Sequence, residues 1–245
     1  MVIPADQRAF YTEKVIYLPN SYQPNDNTRE IAQTKTKRTD FGLPESGFVF
    51  CCFNNNYKLS PDEFDIWMRL LNQVEGSVLW LLKSNKWTEP NLRHEAGLRG
   101  VDPSRLVFAD RLPHSEHLAR HKHADLFVDT FNYNAHTTAS DALWTGLPVV
   151  TKVGQQFAAR VSASLLTAVG LPELITTTEG EYEALILDLA TNQRKLSEIR
   201  VKLETNRHTH PLFDTSGYTR DFERGLQEAY KRYFDGQAPA DIWIQ

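Results

Sequence analysis

The sequence predicts an α/β fold in which helices cover both faces of a parallel sheet and a helical tail follows at the C-terminus. From Gly47 onward, short apolar runs rich in β-branched residues alternate with longer segments of helical period, which is typical of parallel α/β sheets. The interiors of these runs are apolar at consecutive positions, as in strands that are buried on both faces. The predicted strands are 47–53, 77–82, 105–108, 126–129 and 148–151.

The predicted helices begin and end at recognisable sequence signals. The first begins after Ser60, where Pro61 suits the first helical position and Glu63 can complete a capping box. Gly100 and Gly146 are placed to end two later helices. The helices predicted after the first are 88–98, 114–123, 137–144, 155–169 and three within 179–234, with breaks near residue 191 and across 208–217.

Residues 1–46 differ in pattern from the rest of the chain. They are polar, contain several prolines and show no sustained period of either helix or strand. The sequence therefore predicts two parts, a connector at 1–46 and one main domain at 47–245.

Composition and charge exclude several functions. Lys and Arg number 27 against 31 Asp and Glu, and a net charge of −4 offers no overall positive field for a nucleic acid. No segment approaches the roughly 20 apolar residues of a membrane span, and the first ten residues do not resemble a signal peptide, so we expect no membrane partner and a cytoplasmic location. Cys51 and Cys52 are neighbours in a predicted strand and would point to opposite faces, so no disulfide between them is expected.

A polar loop at 129–141 leads from the fourth predicted strand into a helix. In open α/β sheets, ligands bind beyond the carboxyl ends of strands, where loops enter helices. Free backbone N–H groups and the hydroxyls of Thr137 and Thr138 would form an anion site there. Asp141, one turn further, would repel a bare phosphate but can accept hydrogen bonds from a sugar diol. Alternatively, a threonine is simply the N-cap and His136 an ordinary loop residue.

The loop after the first predicted strand carries three amides and a lysine, at Asn54, Asn55, Asn56 and Lys58. Lys58 is placed to offset negative charge that a ligand brings to the neighbouring loop. Asparagines also favour simple turns, which is the alternative interpretation.

The third predicted helix carries three histidines on one face, at His114, His117 and His121. A zinc site is one interpretation, although no cysteine accompanies them. Alternatively, a flat imidazole at the mouth of the sheet stacks on a base and Arg120 bonds to the edge of that base. The third interpretation is a solvated polar face.

Four segments together resemble the O-linked N-acetylglucosamine transferases, which form glycosyltransferase family 41. They are FNNNYK at 53–58, SVLWLL at 77–82, HLAR at 117–120 and NAHTTASDALWTGLP at 134–148. Their order and spacing make the match specific, and the resemblance runs from about Tyr11 to the C-terminus. It implies a GT-B enzyme, in which two Rossmann-like lobes face each other across a cleft. This chain resembles the C-terminal lobe, a Rossmann-like doubly wound parallel sheet that holds most of the donor.

The resemblance also assigns residues to the donor's diphosphate. Lys58 would hold the diphosphate of the leaving nucleotide and is the implied catalytic residue. Asn55 lies beside it, where animal members have a glutamine. His136, Thr137 and Thr138 would line the pyrophosphate.

Other residues would bind the nucleoside. His117 would stack on the uracil, Arg120 would reach its edge, and Asp141 would accept a hydrogen bond from the ribose. His114 stands where animal members carry a lysine near the ribose.

The implied function is the donor-binding half of an inverting protein O-glycosyltransferase that transfers N-acetylglucosamine from UDP-GlcNAc to Ser or Thr of proteins, with no metal or other cofactor. Protein acceptors would be held by the family's N-terminal lobe and tetratricopeptide repeats, and residues 1 to about 40 resemble only the end of that lobe. Two alternatives keep the fold. One is a nucleotide-binding module without catalysis, and the other is a transferase that uses UDP-glucose or GDP-fucose.

Overall fold

The computed structural model describes residues 2–245 and is built around a six-stranded parallel sheet. In chain order, the strands of the described residues are β1 (Ile16–Tyr17), β2 (Val49–Cys52), β3 (Val78–Leu82), β4 (Leu106–Ala109), β5 (Leu126–Val128), β6 (Val149–Lys152), β7 (Ile175–Thr176) and β8 (Ile242–Trp243). The main sheet has the order β4-β3-β2-β5-β6-β7, and β1 pairs with β8 in a separate parallel ribbon. The prediction of a doubly wound parallel sheet is confirmed.

Strand order fixes where a ligand can bind. The chain first builds outward from β2 through β3 to β4, then crosses back and builds outward from β5 through β6 to β7. β2 and β5 are therefore central neighbours, paired in register at Phe50 with Leu126 and at Cys51 with Phe127. The connections leave these two strands in opposite directions, which opens a crevice at their carboxyl ends.

Helices pack on the sheet and form the C-terminal part of the chain. In the described residues, the α-helices are α1 (Pro61–Gln73), α2 (Thr88–Leu98), α3 (His114–Arg120), α4 (Thr137–Trp144), α5 (Val161–Ala168), α6 (Glu179–Thr191), α7 (Gln193–Thr209) and α8 (Thr215–Phe234). The capping box that begins α1 is present, with the Ser60 amide donating to Glu63 at 2.6 Å. The predicted bounds of α2 and α4 are confirmed, as is the division of the last third into three helices.

Two predicted helices are shorter than their sequence patterns indicate. Helix α3 stops at Arg120 and continues as a 3₁₀ turn at His121–His123. Helix α5 begins at Val161 and not at 155. The segment before it is a 3₁₀ turn whose Ala158 and Ala159 carbonyls accept hydrogen bonds from Asn134 and Gly154, so contacts across the fold replace the first helical turns.

A buried relay between the helical layer and the sheet supports the central crevice. The Trp67 indole of α1 donates to the Tyr182 hydroxyl of α6 at 3.1 Å, and that hydroxyl donates to the Asp129 carbonyl at 2.9 Å. Trp67 and Tyr182 are buried, so each polar atom finds its partner inside the protein. The backbone that follows β5 is thereby anchored to two helices.

Cys51 and Cys52 are also buried, and both are free thiols.

Residues 2–46 lie along the α/β lobe and contact it at several points. Arg8 forms an ion pair with Asp241 at 2.6 Å, next to the β1–β8 ribbon. Arg38 forms another with Asp125 at 2.8 Å, at the amino end of β5. Within residues 2–245 no helix combines the length and apolarity that crossing a bilayer requires.

Candidate functional site

The candidate site lies at the carboxyl ends of β2 and β5, where the strand order reverses. The loop after β2 carries Asn54 and Lys58, and the loop after β5 runs from Asp129 into α4. The Lys58 ammonium donates to the Asn134 carbonyl at 2.9 Å, so the two loops meet in one crevice.

Asp129 organises the loop after β5 from within. One carboxylate oxygen accepts from the Thr130 and Ala135 amides at 2.9 and 2.7 Å, and the other accepts from the Thr151 hydroxyl at 2.8 Å. Asp129 has no exposed surface; burial raises its pKa, and these hydrogen bonds partly oppose the shift. A carboxylate enclosed in this way supports the loop and is not available to a ligand.

Asn54 joins the two loops through its amide, a role that our sequence analysis missed. Its nitrogen donates to the Thr130 hydroxyl at 2.8 Å, and its oxygen accepts from the Thr138 hydroxyl at 2.6 Å. The available signal was an amide placed directly after a fully apolar strand, since a buried amide requires several partners.

Lys58 provides a positive charge in the crevice. Its ammonium lies 3.9 Å from the centroid of the Tyr133 ring and is half-buried. Burial lowers the pKa of Lys58, and the Coulomb attraction of Asp129 opposes that change. No carboxylate of residues 2–245 forms an ion pair with this ammonium. An anion entering the crevice would therefore meet a cation that lacks a counterion.

The N-terminus of α4 adds a second positive element. Ser140 is the first residue of the helix whose amide has a backbone partner, the His136 carbonyl at 3.0 Å, so the amides of the preceding turn remain available. No side chain caps this end, in contrast to α6, α7 and α8, and no acidic residue lies in its first turn, in contrast to α1 and α6. Thr137 is exposed at this end, whereas the Thr138 hydroxyl is committed to Asn54. The end of the helix is suited to an anion.

His136 is held between the first part of the chain and the loop before α5. Its Nδ1 lies 3.1 Å from the Tyr22 hydroxyl and its Nε2 lies 3.4 Å from the Ala158 carbonyl. A carbonyl only accepts, so Nε2 carries the proton and Nδ1 accepts from Tyr22. Burial lowers the pKa of His136, which keeps the ring neutral.

His117 lies over a buried arginine on the other side of the crevice. The Arg120 guanidinium donates to His117 Nδ1 at 2.5 Å and to the Asp110 carbonyl at 2.6 Å. Since arginine only donates, His117 carries its proton on Nε2 and is neutral. Burial, together with the nearby His121 and Arg120, lowers the pKa of His117 to about 2. A neutral, half-buried imidazole plane is suited to stacking on a base.

Arg120 itself lies deeper than our sequence analysis implied. It is only 1% exposed and packs against the rings of Phe53 and Trp80. In this structure it supports His117, and its expected contact with the edge of a base stays a prediction.

Neutral histidines in the fold make its stability dependent on pH. In the unfolded chain a histidine takes up its proton near pH 6.5, whereas burial lowers the pKa of His117 to about 2 and that of His121 to about 4. The unfolded state therefore binds more protons below about pH 6.5, and we expect the free energy of unfolding to decrease as the pH falls from there. Each such histidine contributes at most about 1.4 kcal/mol per pH unit.

Urea denaturation at about pH 7 and about pH 5 measures this decrease. His121→Asn should make it smaller, because the buried imidazole is gone. His208→Asn, at an exposed position in α7, is the matched control and should leave it unchanged. An equal decrease in the chain with and without His121 would contradict the assignment.

Asp141 and His114 lie on the same side of the crevice, beyond the first turn of α4. His114 is exposed, and its Nε2 lies 3.5 Å from an Asp141 carboxylate oxygen. That oxygen also accepts from Arg29 Nη1 at 2.6 Å, a contact between residues 112 positions apart that no sequence pattern revealed. Burial raises the pKa of Asp141, and Arg29 and His114 oppose the rise.

Asn55 lies at the outer edge of the site. Its side-chain oxygen is 3.4 Å from a guanidinium nitrogen of Arg111, an exposed residue that follows β4. The three histidines of α3 do not come together with other ligands: across residues 2–245, no three His, Cys, Asp or Glu side chains are grouped so that they could hold a metal ion. His117 Nδ1 faces the guanidinium of Arg120 and is not available to a ligand.

The fold, with its crevice where the strand order reverses, defines a Rossmann-like α/β lobe of the GT-B class. The model of glycosyl transferase family 41 matches residues 23–222, and the chain belongs to this family. The resemblance stated from sequence motifs is thus confirmed.

Several relatives show how much of the family's architecture these residues represent. The chain is 37% identical over 244 residues to the probable UDP-N-acetylglucosamine–peptide N-acetylglucosaminyltransferase SEC of Arabidopsis thaliana, covering 97% of this chain and 25% of that protein. It is 40% identical over 201 residues to the corresponding transferase of Caenorhabditis elegans, covering 82% of this chain and 18% of that protein. A mutant O-GlcNAc transferase of Thermobaculum terrenum superposes with a TM-score of 0.79 at 27% identity, over 93% of this chain and 44% of that one. The chain spans a quarter or less of these two curated relatives.

Proposed function

We propose that this chain is the donor-binding half of an inverting protein O-glycosyltransferase that uses UDP-N-acetylglucosamine. One observation carries the proposal: an ammonium without a counterion and an uncapped helix N-terminus face the same crevice between β2 and β5. Lys58 and the first turn of α4 would bind the diphosphate, with His136, Thr137 and Asn55 around it. The names of the relatives support UDP-N-acetylglucosamine as the donor and a peptide as the acceptor.

The nucleoside would occupy the side of the crevice toward α3. The neutral ring of His117 would stack on the uracil, with Arg120 fixing the ring from below. Asp141 would accept from a ribose hydroxyl, next to His114. These positions would place the sugar at the open mouth of the crevice, where a second lobe can reach it.

Lys58 and the α4 N-terminus would serve the reaction as well as binding. When the acceptor hydroxyl of a Ser or Thr attacks the anomeric carbon, the bond to the diphosphate breaks and negative charge grows on the leaving phosphate. Preorganised donors at such a position are each worth on the order of 3 kcal/mol of the barrier. The family's N-terminal lobe and tetratricopeptide repeats would bind the protein acceptor.

We also propose that the protein is located in the cytoplasm, where free thiols such as those of Cys51 and Cys52 persist.

Calorimetric titration of the chain with UDP, GDP, UDP-GlcNAc, UDP-glucose and GDP-fucose tests the proposal. We expect the uracil nucleotides to bind and uridine, which lacks the diphosphate, to bind at least about tenfold more weakly than UDP. Tighter binding of GDP or GDP-fucose would favour another donor. Failure of UDP to bind at millimolar concentration would refute the proposal.

We also expect UDP binding to be independent of divalent metal. Lys58 and the helix amides already meet the diphosphate, so no cation is needed to offset its charge. Titration with UDP in EDTA, and again with Mg²⁺ or Mn²⁺, should give the same affinity. A tenfold loss in EDTA would indicate a metal-assisted site.

A further inference from the structure

Arg29 reaches from residues 2–46 into the crevice and is held at each of its guanidinium nitrogens. Nη1 donates to an Asp141 carboxylate oxygen at 2.6 Å, Nη2 to the Ser140 hydroxyl at 3.2 Å, and Nε to the Asp26 carbonyl at 2.9 Å. A planar group bonded on every edge has one orientation, so the direction from which it meets Asp141 is fixed.

The surroundings of Arg29 strengthen this contact. Its guanidinium carbon lies 5.4 Å from the centre of the Trp144 ring and 5.5 Å from that of Phe213, and its carbonyl accepts from the Trp144 indole at 3.2 Å. The Arg29 and Asp141 side chains are each 11% exposed. A charge-assisted hydrogen bond with so little water around it is strong and stiff.

Only one oxygen of Asp141 is engaged. Arg29 and His114 both face Oδ1, whereas within residues 2–245 Oδ2 accepts no hydrogen bond. Asp141 lies four residues after Thr137 and so on the same face of α4, one turn beyond the amides that would meet the diphosphate. The open oxygen is thus near the place where the ribose of a bound nucleotide would lie.

We propose that Arg29 is a positioning residue, which holds Oδ1 of Asp141 and leaves its second oxygen open to a ribose hydroxyl, and that it thereby sets how strongly the site selects a ribonucleotide. The inference rests on the proposed function. Without Arg29, Asp141 would be a poorly hydrated carboxylate that faces only the His114 imidazole, at 3.5 Å. It would take up a proton or turn toward Ser140, and its acceptor for the ribose would be lost.

A purely structural role would predict a different result, and the chain offers a matched control. Arg38 forms an ion pair with Asp125 that also ties the first part of the chain to the lobe, with side chains 22% and 18% exposed. This pair lies at the amino end of β5, whereas the crevice lies at the carboxyl ends of the strands. Arg38→Met should therefore affect stability without affecting the choice of nucleotide.

The experiment is calorimetric titration of the unmodified chain, Arg29→Met and Arg38→Met with UDP, 2′-deoxy-UDP and 3′-deoxy-UDP. The unmodified chain and Arg38→Met should bind UDP at least about tenfold tighter than one of the deoxy analogues. In Arg29→Met this ratio should fall below about threefold. An unchanged ratio in Arg29→Met, or equal binding of all three nucleotides by the unmodified chain, would overturn the inference. Failure of the unmodified chain to bind any of them would instead refute the proposed function.

Circular dichroism establishes whether each variant is folded. If Arg29→Met is not folded, Arg29→Lys is measured in its place, again as the ratio of the affinities for UDP and for the deoxy analogue. Lysine keeps the charge, but a single ammonium cannot bond to Asp141, Ser140 and Asp26 in the same geometry. The ratio is expected to fall below that of the unmodified chain, and a ratio equal to it would overturn the inference.

Discussion

Replacing Lys58 by alanine is expected to weaken UDP binding about 10- to 150-fold, which corresponds to roughly 1.5–3 kcal/mol for a charge-assisted contact. The Lys58 ammonium is half-buried and has no carboxylate partner within residues 2–245, so a bound diphosphate would be its counterion. Removing it leaves the helix N-terminus of α4 as the main positive element in the crevice. Calorimetric titration of Lys58→Ala with UDP measures the loss.

Two comparisons make this result specific. Lys152 is the last residue of β6 and also lies 4.0 Å from the centroid of an aromatic ring, that of Phe131, but it is paired with Glu179 at 3.0 Å. Lys152→Ala should therefore change UDP affinity little. Uridine lacks the diphosphate, so its weak binding should be the same in the unmodified chain and in Lys58→Ala. Equal losses for UDP and uridine, or equal losses for the two lysine variants, would contradict the role assigned to Lys58.

The parts of the fold that sequence predicted well are those fixed by local chemistry. Helix α4 has its predicted bounds because a polar loop enters it and Gly146, with a φ of 83°, follows it. Helix α5 is shorter than predicted because the hydrogen bond from Asn134 to Ala158 comes from a distant loop. Strands β1, β7 and β8 are two residues each, too short to show any period.

The same division applies to the candidate site. Lys58 and the α4 N-terminus could be predicted because each follows a strand and belongs to a local motif. Asn54 was missed because its role consists of contacts with residues more than 70 positions away. Arg29 was missed for the same reason, and because the polar segment around it has no period that could predict its packing on α4. The sequence therefore indicates where the crevice lies, but it does not show which side chains reach the crevice from other elements of the fold.

Helix α8 presents an apolar face that the rest of the described chain leaves uncovered. Phe222 is 45% exposed, Leu226 41%, Tyr230 64% and Tyr233 76%, and together they form a stripe along one side of the helix. Exposed patches of this kind mark surfaces that contact another protein or domain. We propose that the second lobe of the enzyme, which would face the crevice, also covers this stripe.

The chain alone is expected to bind the donor but to transfer no sugar to protein. An inverting transfer requires the acceptor hydroxyl to lie in line with the anomeric carbon, and such alignment supplies roughly 7–11 kcal/mol, or a factor of about 10⁵ to 10⁸ in rate. In our proposal the acceptor is aligned by the second lobe, whereas Lys58 and α4 contact only the leaving diphosphate. Incubation with UDP-GlcNAc and a Ser- and Thr-containing polypeptide, followed by mass spectrometry, should detect no modified peptide.

A longer chain that includes the second lobe should modify the polypeptide, and Lys58→Ala in that longer chain should abolish most of the activity. Transfer by the 245 residues alone would show that they contain an acceptor site of their own. A longer chain that binds UDP-GlcNAc and remains inactive would instead favour a nucleotide-binding module without catalysis.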